Sequence, residues 1–371
     1  MKKFNVFLSA LFCLFIGGML VVSTLLPDRS FSPLENRYLA KPPRLTLQTL
    51  TDGTFMENAE DYASDQIVGR DFWVALKAWC ERLSGKQENN GVYFGKEDTL
   101  LNRVNTPSQE ELQKRQGYLD ALVGNVSVPV YLGLIPSSSA IWADRLPAGA
   151  PTADELSLID DFYFSTGANT LDMAGALLAH KDEDIYYRTD HHWTSLGAYY
   201  GANALFEAMG LEPLNLSDYQ KTTVTTQFYG TTFSTSGVRW VRPDSIDTYI
   251  PDDGVKVTSW FTGQPEEGSL YVDRYLLEKD KYSYFLGGNQ SLCVIETEHT
   301  DAPKVLIIRD SYSDSLAPFL TERFSEIHLF DPRYNLTSVK DYVEQNDIDS
   351  VVVLYSFQNF TTDQNLFVLS R

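Results

Sequence analysis

An almost unbroken apolar run from Phe4 to Leu26, preceded by Lys2 and Lys3, limits what this chain can be before any other feature is weighed. Its length matches the roughly 20 residues a helix needs to cross the hydrocarbon core of a bilayer, and it exceeds the apolar centre of a secretory signal. Positive charge before the run and none within it predicts a cytoplasmic N-terminus, with everything after Leu26 sent outward. No clear small-x-small cleavage site precedes Pro27, although Val22-Ser23-Thr24 keeps a cleaved signal as the alternative. Either way the body is exported. Cys13 falls too early in the run to be a lipid-attachment cysteine.

The remaining chain is long enough for a full-sized core among its 371 residues. A net charge of -20, spread along the sequence, removes nucleic acid as a partner, because phosphate binding needs a basic footprint. It reads as a solvated, acidic exterior. Outside the apolar run only Cys80 and Cys293 remain. They form either one disulfide or two unpaired thiols, and no CxxC or Cys/His cluster points to zinc. No cofactor is expected.

Taken in order, residues 1–26 are the expected membrane anchor. Residues 27–50 hold four prolines and read as a tether. The body, 51–371, opens with a predicted helix over 55–83 that sets Phe72, Leu76 and Trp79 on one face. A short strand is expected over 91–95 and a polar amphipathic helix over 108–123. Val126 to Ile135 reads as a buried strand, with Pro129 awkward in it; Ser137-Ser138-Ser139 after it reads as a cap or turn. Helices over 153–164, 174–180 and 194–209 and a short strand over 170–173 follow. The character changes between about 211 and 292. The segments 222–226, 255–260 and 271–275 are β-prone and separated by Pro, Gly and Asp, which predicts an inserted β-rich excursion. Its Trp240, Trp260 and Phe261 could stack on sugars or simply pack. Strands over 304–309, 326–330 and 350–355 then alternate with helices over 313–323 and 338–346. The rhythm is that of an α/β sheet with helices on its faces.

Two places carry chemistry. Tyr187-Arg188-Thr189-Asp190-His191-His192-Trp193 holds two of the five histidines. If this segment is extended, Asp190 and His192 project to one side and His191 to the other. A carboxylate two residues away can then fix the His192 tautomer and leave the second ring nitrogen as a base. Far downstream, the apolar strand Val305-Leu306-Ile307-Ile308 ends at Asp310-Ser311, with a helix behind it. A hydroxyl there sits at the strand end where open α/β sheets bind ligands, near backbone N–H groups that can hold an oxyanion. Ser311 can equally be a helix cap. A metal at Asp190, His191 and His192 is disfavoured because the two imidazoles would point apart. Trp193 reads as a packing wall. Phe285-Leu286-Gly287-Gly288-Asn289 offers close backbone approach and an amide donor, or a plain turn.

The segment Tyr187–Trp193 resembles the signature of the bacterial DHHW family, itself similar to the SGNH-hydrolase-like proteins of alginate O-acetylation. The resemblance continues through Leu34-Glu35-Asn36-Arg37, Ser64-Asp65-Gln66 with Gly69-Arg70, Asn90-Gly91-Val92-Tyr93, Gly287-Gly288-Asn289 and Arg309-Asp310-Ser311-Tyr312. It implies an α/β, SGNH-hydrolase-like three-layer α/β/α sandwich in circularly permuted order, with a β-rich insertion and an N-terminal transmembrane helix. It implies Ser311 as nucleophile, His192 as base and Asp190 as orienter. Asn289 and the Ser311 N–H are the oxyanion candidates, with Gly288, Tyr312 and Trp193 around the substrate. The activity implied is transfer of acetyl groups to a cell-surface or secreted polysaccharide outside the membrane, with a multipass membrane O-acyltransferase as partner and acetyl donor. An acetyl esterase using the same residues, or a non-catalytic glycan-binding subunit, are the alternatives.

Overall fold

In the strand Lys304–Arg309, side chains alternate between two separate cores. Val305 and Ile307 enter one apolar cluster, Leu306 and Ile308 the other, and all four are fully buried. A strand apolar on both sides must be covered on both faces, which accounts for its continuous apolar run. The structure, a computed structural model, describes residues 2–261 and 263–371. Met1, the first residue of the expected anchor, lies outside them.

Lys304–Arg309 belongs to an eight-stranded sheet. Across the sheet the order is Pro265–Gly268, Val255–Trp260, Leu292–Thr297, Glu326–Phe330, Lys304–Arg309, Ser350–Ser356, Val130–Ile135 and Asn169–Thr170. The last five are mutually parallel and the first three pair antiparallel. Pro129 ends up just before its strand, where the missing N–H costs nothing and its carbonyl accepts from Val351 N at 3.0 Å. The β-prone stretch after Leu211 divides. Thr222–Phe228 and Asp244–Thr248 form their own two-stranded sheet, whereas Val255–Trp260 extends the main one. Strand was expected over 271–275. The chain instead turns into a 3-10 helix at Asp273–Leu277, and only Tyr271 keeps a β-bridge, to Phe285. Cys80 and Cys293 are both free thiols, the first exposed and the second buried.

The chain divides into two compact units. The larger comprises Gly91–Thr232 with Val241–Arg371 and contains the sheet; the smaller runs up to Asn90 and adds Phe233–Trp240. In the smaller unit the apolar helix is Lys2–Leu25. The single helix expected over 55–83 is two, Thr54–Gln66 and Arg70–Leu83. Ile67 is extended and Gly69 takes φ 68°, a left-handed turn that ends one helix and starts the next. The motif residues of this unit converge here. Asp65 accepts from Arg37 Nη1 at 2.9 Å and from Ala40 N at 2.8 Å, while Arg70 pairs with Glu35. The Arg37 guanidinium holds the Asp65 carboxyl below its ordinary range.

In the larger unit, Ser137 caps a short helix and also donates to the buried Glu155, through its N–H at 3.1 Å and its hydroxyl. Burial nevertheless pushes Glu155 up to about 7 from its ordinary 4.5. A carboxyl raised in this way binds its proton more tightly folded than unfolded, so stability falls as pH rises from 4.5 to about 7. The span corresponds to on the order of 3 kcal/mol. Glu155→Gln is expected to flatten that decline in calorimetric midpoint temperature; an unchanged slope contradicts it.

Candidate active site

The segment Tyr187–Trp193 is a loop closed by a bridge between Tyr186 and Trp193, with Tyr187 N donating to His192 O at 3.2 Å. Asp244 ties down its first half. Its Oδ1 accepts from Arg188 N and Nε, each at 3.2 Å, and its Oδ2 from Thr189 N at 2.9 Å and Thr189 Oγ1 at 2.5 Å. The loop tip is organised by Asp190, which accepts four hydrogen bonds. His192 N (3.0 Å) and Nδ1 (2.6 Å) reach Oδ1; Thr231 N (2.6 Å) and Oγ1 (2.9 Å) reach Oδ2. Gly230 lies so close that a Cβ there would stand 2.1 Å from Asp190 Oδ2, so only glycine fits.

On the far side of the ring, His192 Nε2 lies 2.8 Å from Ser311 Oγ. With Nδ1–H donating to the carboxylate, Nε2 is the acceptor and the serine hydroxyl the donor. Ser311 stands in the turn between Lys304–Arg309 and the helix Ser313–Leu320. That turn is held by buried groups. Asp310 accepts from Tyr312 N at 3.1 Å on one oxygen, and on the other from Ser356 N at 3.0 Å and Asn359 Nδ2 at 2.8 Å. Arg309, fully buried, donates to Asp314 at 2.7 Å and to Gln290 at 3.2 Å.

Electrostatics follow from this enclosure. Burial favours a neutral Asp190, but the adjacent imidazoles and the hydrogen bonds outweigh it and hold the carboxyl far below the usual carboxylate range. Desolvation and the neighbouring His192 push His191 down to about 4, so it is neutral near pH 7. His191 does not point away from His192, as an extended segment would require. The chain bends at the loop tip, the two rings lie 3.8 Å apart, and His191 Nδ1 meets Thr231 Oγ1 at 2.6 Å. Asp190, His191 and His192 therefore present ligand atoms within 4.8 Å of one another, and the geometric reason for setting a metal aside fails. Their engaged atoms are those of the hydrogen-bond chain just described.

Of the other expected residues, Trp193 is fully buried and donates its indole N–H to Tyr312 O at 2.9 Å. Tyr312 is also buried, and its hydroxyl donates to His191 O. Both brace the turn that carries Ser311. Gly287 and Gly288 adopt φ 83° and 99°, and Asn289 Oδ1 lies 3.5 Å from Arg333 Nη2. A Cβ at Gly287 would sit 3.5 Å from the half-exposed Phe261. Trp240 packs on Trp79 instead, at 4.4 Å.

Sequence reasoning missed Tyr282. Its ring lies parallel to the His192 imidazole, 3.7 Å between centroids and 8° between planes. Its hydroxyl donates to Ser311 O at 3.1 Å and contacts Ser315 Oγ at 3.0 Å. A small cavity opens beside this cluster, lined by Ser137, Ser138, His191, Tyr312, Asn359 and Gln358 among others.

Fold and site together define an α/β protein with a serine at a strand end facing an imidazole. Comparison with known proteins makes the relationship specific. The model of the DHHW protein family matches residues 173–330, and that of the SGNH hydrolase-like domain of acetyltransferase AlgX matches residues 93–243. The chain thus carries the DHHW signature and is similar to the alginate O-acetylation proteins. It is 26% identical over 141 residues to the probable alginate O-acetylase AlgJ of Pseudomonas aeruginosa, covering 35% of each chain. Against the protein of the same name from Pseudomonas syringae it is 26% identical over 177 residues, covering 43% of this chain and 44% of that one. The chain therefore spans less than half the length of these curated relatives. A DHHW family protein from Eubacterium siraeum superposes with a TM-score of 0.68 at 27% identity, over 76% of this chain and 95% of that one. Bacillus cereus PatB1, solved with a sulfonyl adduct, gives 0.62 at 20% identity over 76% and 98%, a likeness of fold.

Proposed function

We propose that the chain is a membrane-anchored, extracytoplasmic serine O-acetyltransferase that modifies a cell-surface or secreted polysaccharide. The observation that carries the reading is the continuous hydrogen-bond chain from Asp190 through His192 to Ser311 Oγ, with contacts of 2.6 and 2.8 Å. A serine hydroxyl becomes a nucleophile when an oriented base takes its proton. Ser311 Oγ attacks the carbonyl carbon of an acetyl ester while its proton passes to His192 Nε2. The tetrahedral intermediate collapses, the donor's oxygen leaves with that proton, and the acetyl group stays on Ser311. A sugar hydroxyl then attacks the acyl-serine, gives its proton to His192, and Ser311 takes it back as it leaves.

Asp190, held anionic, keeps the Nδ1 proton in place and stabilises the imidazolium formed in both steps. The oxyanion falls to the Ser311 N–H and to Asn289, whose side-chain oxygen is turned to Arg333. Gly288 allows the backbone to approach, and Tyr312 and Trp193 hold the turn. The late position of the serine, after the histidine and aspartate, is the order of a circularly permuted SGNH-type sandwich. In this reading residues 1–26 anchor the chain, 27–50 connect, and 211–292 form the β-rich insertion. The likeness to the probable alginate O-acetylase AlgJ and to the AlgX domain supports a polysaccharide acceptor; the acetyl donor in this reading is a multipass membrane O-acyltransferase.

The test is incubation of the full chain with a chromogenic acetyl ester, with and without an oligosaccharide acceptor. Acetylated oligosaccharide supports transfer, and free acetate alone supports an esterase. Lack of turnover by the intact chain, together with unreactive Ser311, supports a non-catalytic glycan-binding subunit. Tyr282 gives a graded check. Tyr282→Phe keeps the stacked ring and loses the bonds to Ser311 O and Ser315, and is expected to lower kcat by about tenfold. Tyr282→Ala also frees the imidazole and is expected to cost at least about 100-fold. Equal activity in both variants contradicts this role.

A further inference from the structure

Phe72, Leu76, Trp79 and Leu83 recur at the spacing that places them on one face of the helix Arg70–Leu83. A stripe of this kind ordinarily faces a core. Here it faces outward: the four side chains are 62%, 38%, 46% and 78% exposed, while Ala78 on the opposite side is fully buried. Trp240 widens the patch, its ring 4.4 Å from that of Trp79. The side turned from the stripe carries Arg70, which pairs with Glu35 and Asp65, and Lys77. The helix is therefore amphipathic in the inverted sense, with its large apolar groups in the open.

What covers this face is indicated by where the helix begins. Val68 N donates to Ser23 Oγ at 3.0 Å, and the Trp73 ring meets that of Phe15 edge-on at 6.2 Å. Ser23 and Phe15 belong to the apolar helix Lys2–Leu25, which has the length and composition to cross a membrane. A bilayer that takes up the first helix brings its surface alongside the second. Tryptophan flanked by aliphatic residues, with cations on the polar side, is the composition of a helix lying in a membrane interface.

We infer that the helix Arg70–Leu83 lies on the lipid surface with Phe72, Leu76, Trp79 and Leu83 sunk into the headgroup boundary. This is a second, in-plane contact beside the spanning one, and it rests on the reading of Lys2–Leu25 as a membrane anchor. A single spanning helix leaves the domain behind it free to tumble; a second contact fixes the smaller unit against the membrane.

The experiment uses the full chain in nanodiscs of phosphatidylethanolamine and phosphatidylglycerol, with Cys13 and Cys80 changed to serine. Spin labels are placed singly at Leu76→Cys, Leu83→Cys, Lys77→Cys and Leu14→Cys, and power saturation compares oxygen with an aqueous nickel chelate. The inference expects nickel accessibility at 76 and 83 to be at least about fivefold below that at 77. If 76 and 83 are as accessible as 77 while 14 is shielded, the in-plane contact is overturned and the anchor stands. If 14 is also open to nickel, the anchor reading itself fails. Spectral broadening at 83 that grows with the number of copies per disc assigns the face to a second copy, and also overturns the lipid contact.

Discussion

Asp190→Asn is expected to lower acetyl-ester turnover by about 10⁴-fold while the chain stays folded. Asp190 is an acceptor on all sides, toward His192 N and Nδ1 on one oxygen and Thr231 N and Oγ1 on the other. An amide must place an N–H2 group against one of these pairs. Facing His192, it donates to Nδ1 and drives the ring proton to Nε2, which can then no longer accept from Ser311 Oγ. Facing Thr231, it opposes the backbone N–H and pushes the loop tip out. Either arrangement disables the proposed base, His192, without emptying the core, so kcat is expected to fall and the unfolding midpoint to change much less. A loss below about tenfold would mean that the carboxylate does not orient the imidazole.

The second large effect is on stability. Arg309→Met is expected to destabilise the larger unit by about 3–5 kcal/mol, because it strands a buried carboxylate. Arg309 is fully buried and Asp314 nearly so, and the two are joined at 2.7 Å. Burial already pushes Asp314 up to about 7 against the pull of Arg309. Without the guanidinium the carboxyl binds its proton more tightly still. The variant is therefore least destabilised at acidic pH and loses stability as pH rises through neutrality. Adding Asp314→Leu should restore much of the loss, since an apolar pair leaves no charge to solvate. Denaturant unfolding at about pH 5 and pH 8 reads both effects; a pH-independent loss contradicts the assignment.

Some of this arrangement was legible in the sequence and some was not, for identifiable reasons. The strand Lys304–Arg309 and the helix after Ser311 follow from a continuous apolar run that stops at a small hydroxyl residue. The Asp190–His192 contact spans two residues, so local chemistry announces it. Alternation misplaces His191, because it holds only for extended chain and this segment turns at its tip. Tyr282, Asp244 and Thr231 carried no signal because each meets the site through a contact formed only on folding. Tyr282 reaches Ser311 across 29 residues of sequence, Thr231 reaches Asp190 across 41 and Asp244 reaches Thr189 across 55. The expected single helix over 55–83 runs across Gly69, whose left-handed conformation divides it into two. The face that carries Phe72, Leu76 and Trp79 is legible as apolar, and it is exposed. Periodicity reports that a face is apolar, not what covers it.

The most direct measurement is covalent capture. The full chain is treated with a small sulfonyl fluoride and digested, and the modified residue is located by mass spectrometry. A nucleophilic Ser311 activated by His192 predicts one adduct, on Ser311, abolished by His192→Ala. No adduct, an adduct on Ser137 or Ser138, or labelling of Ser311 that persists in His192→Ala would contradict it.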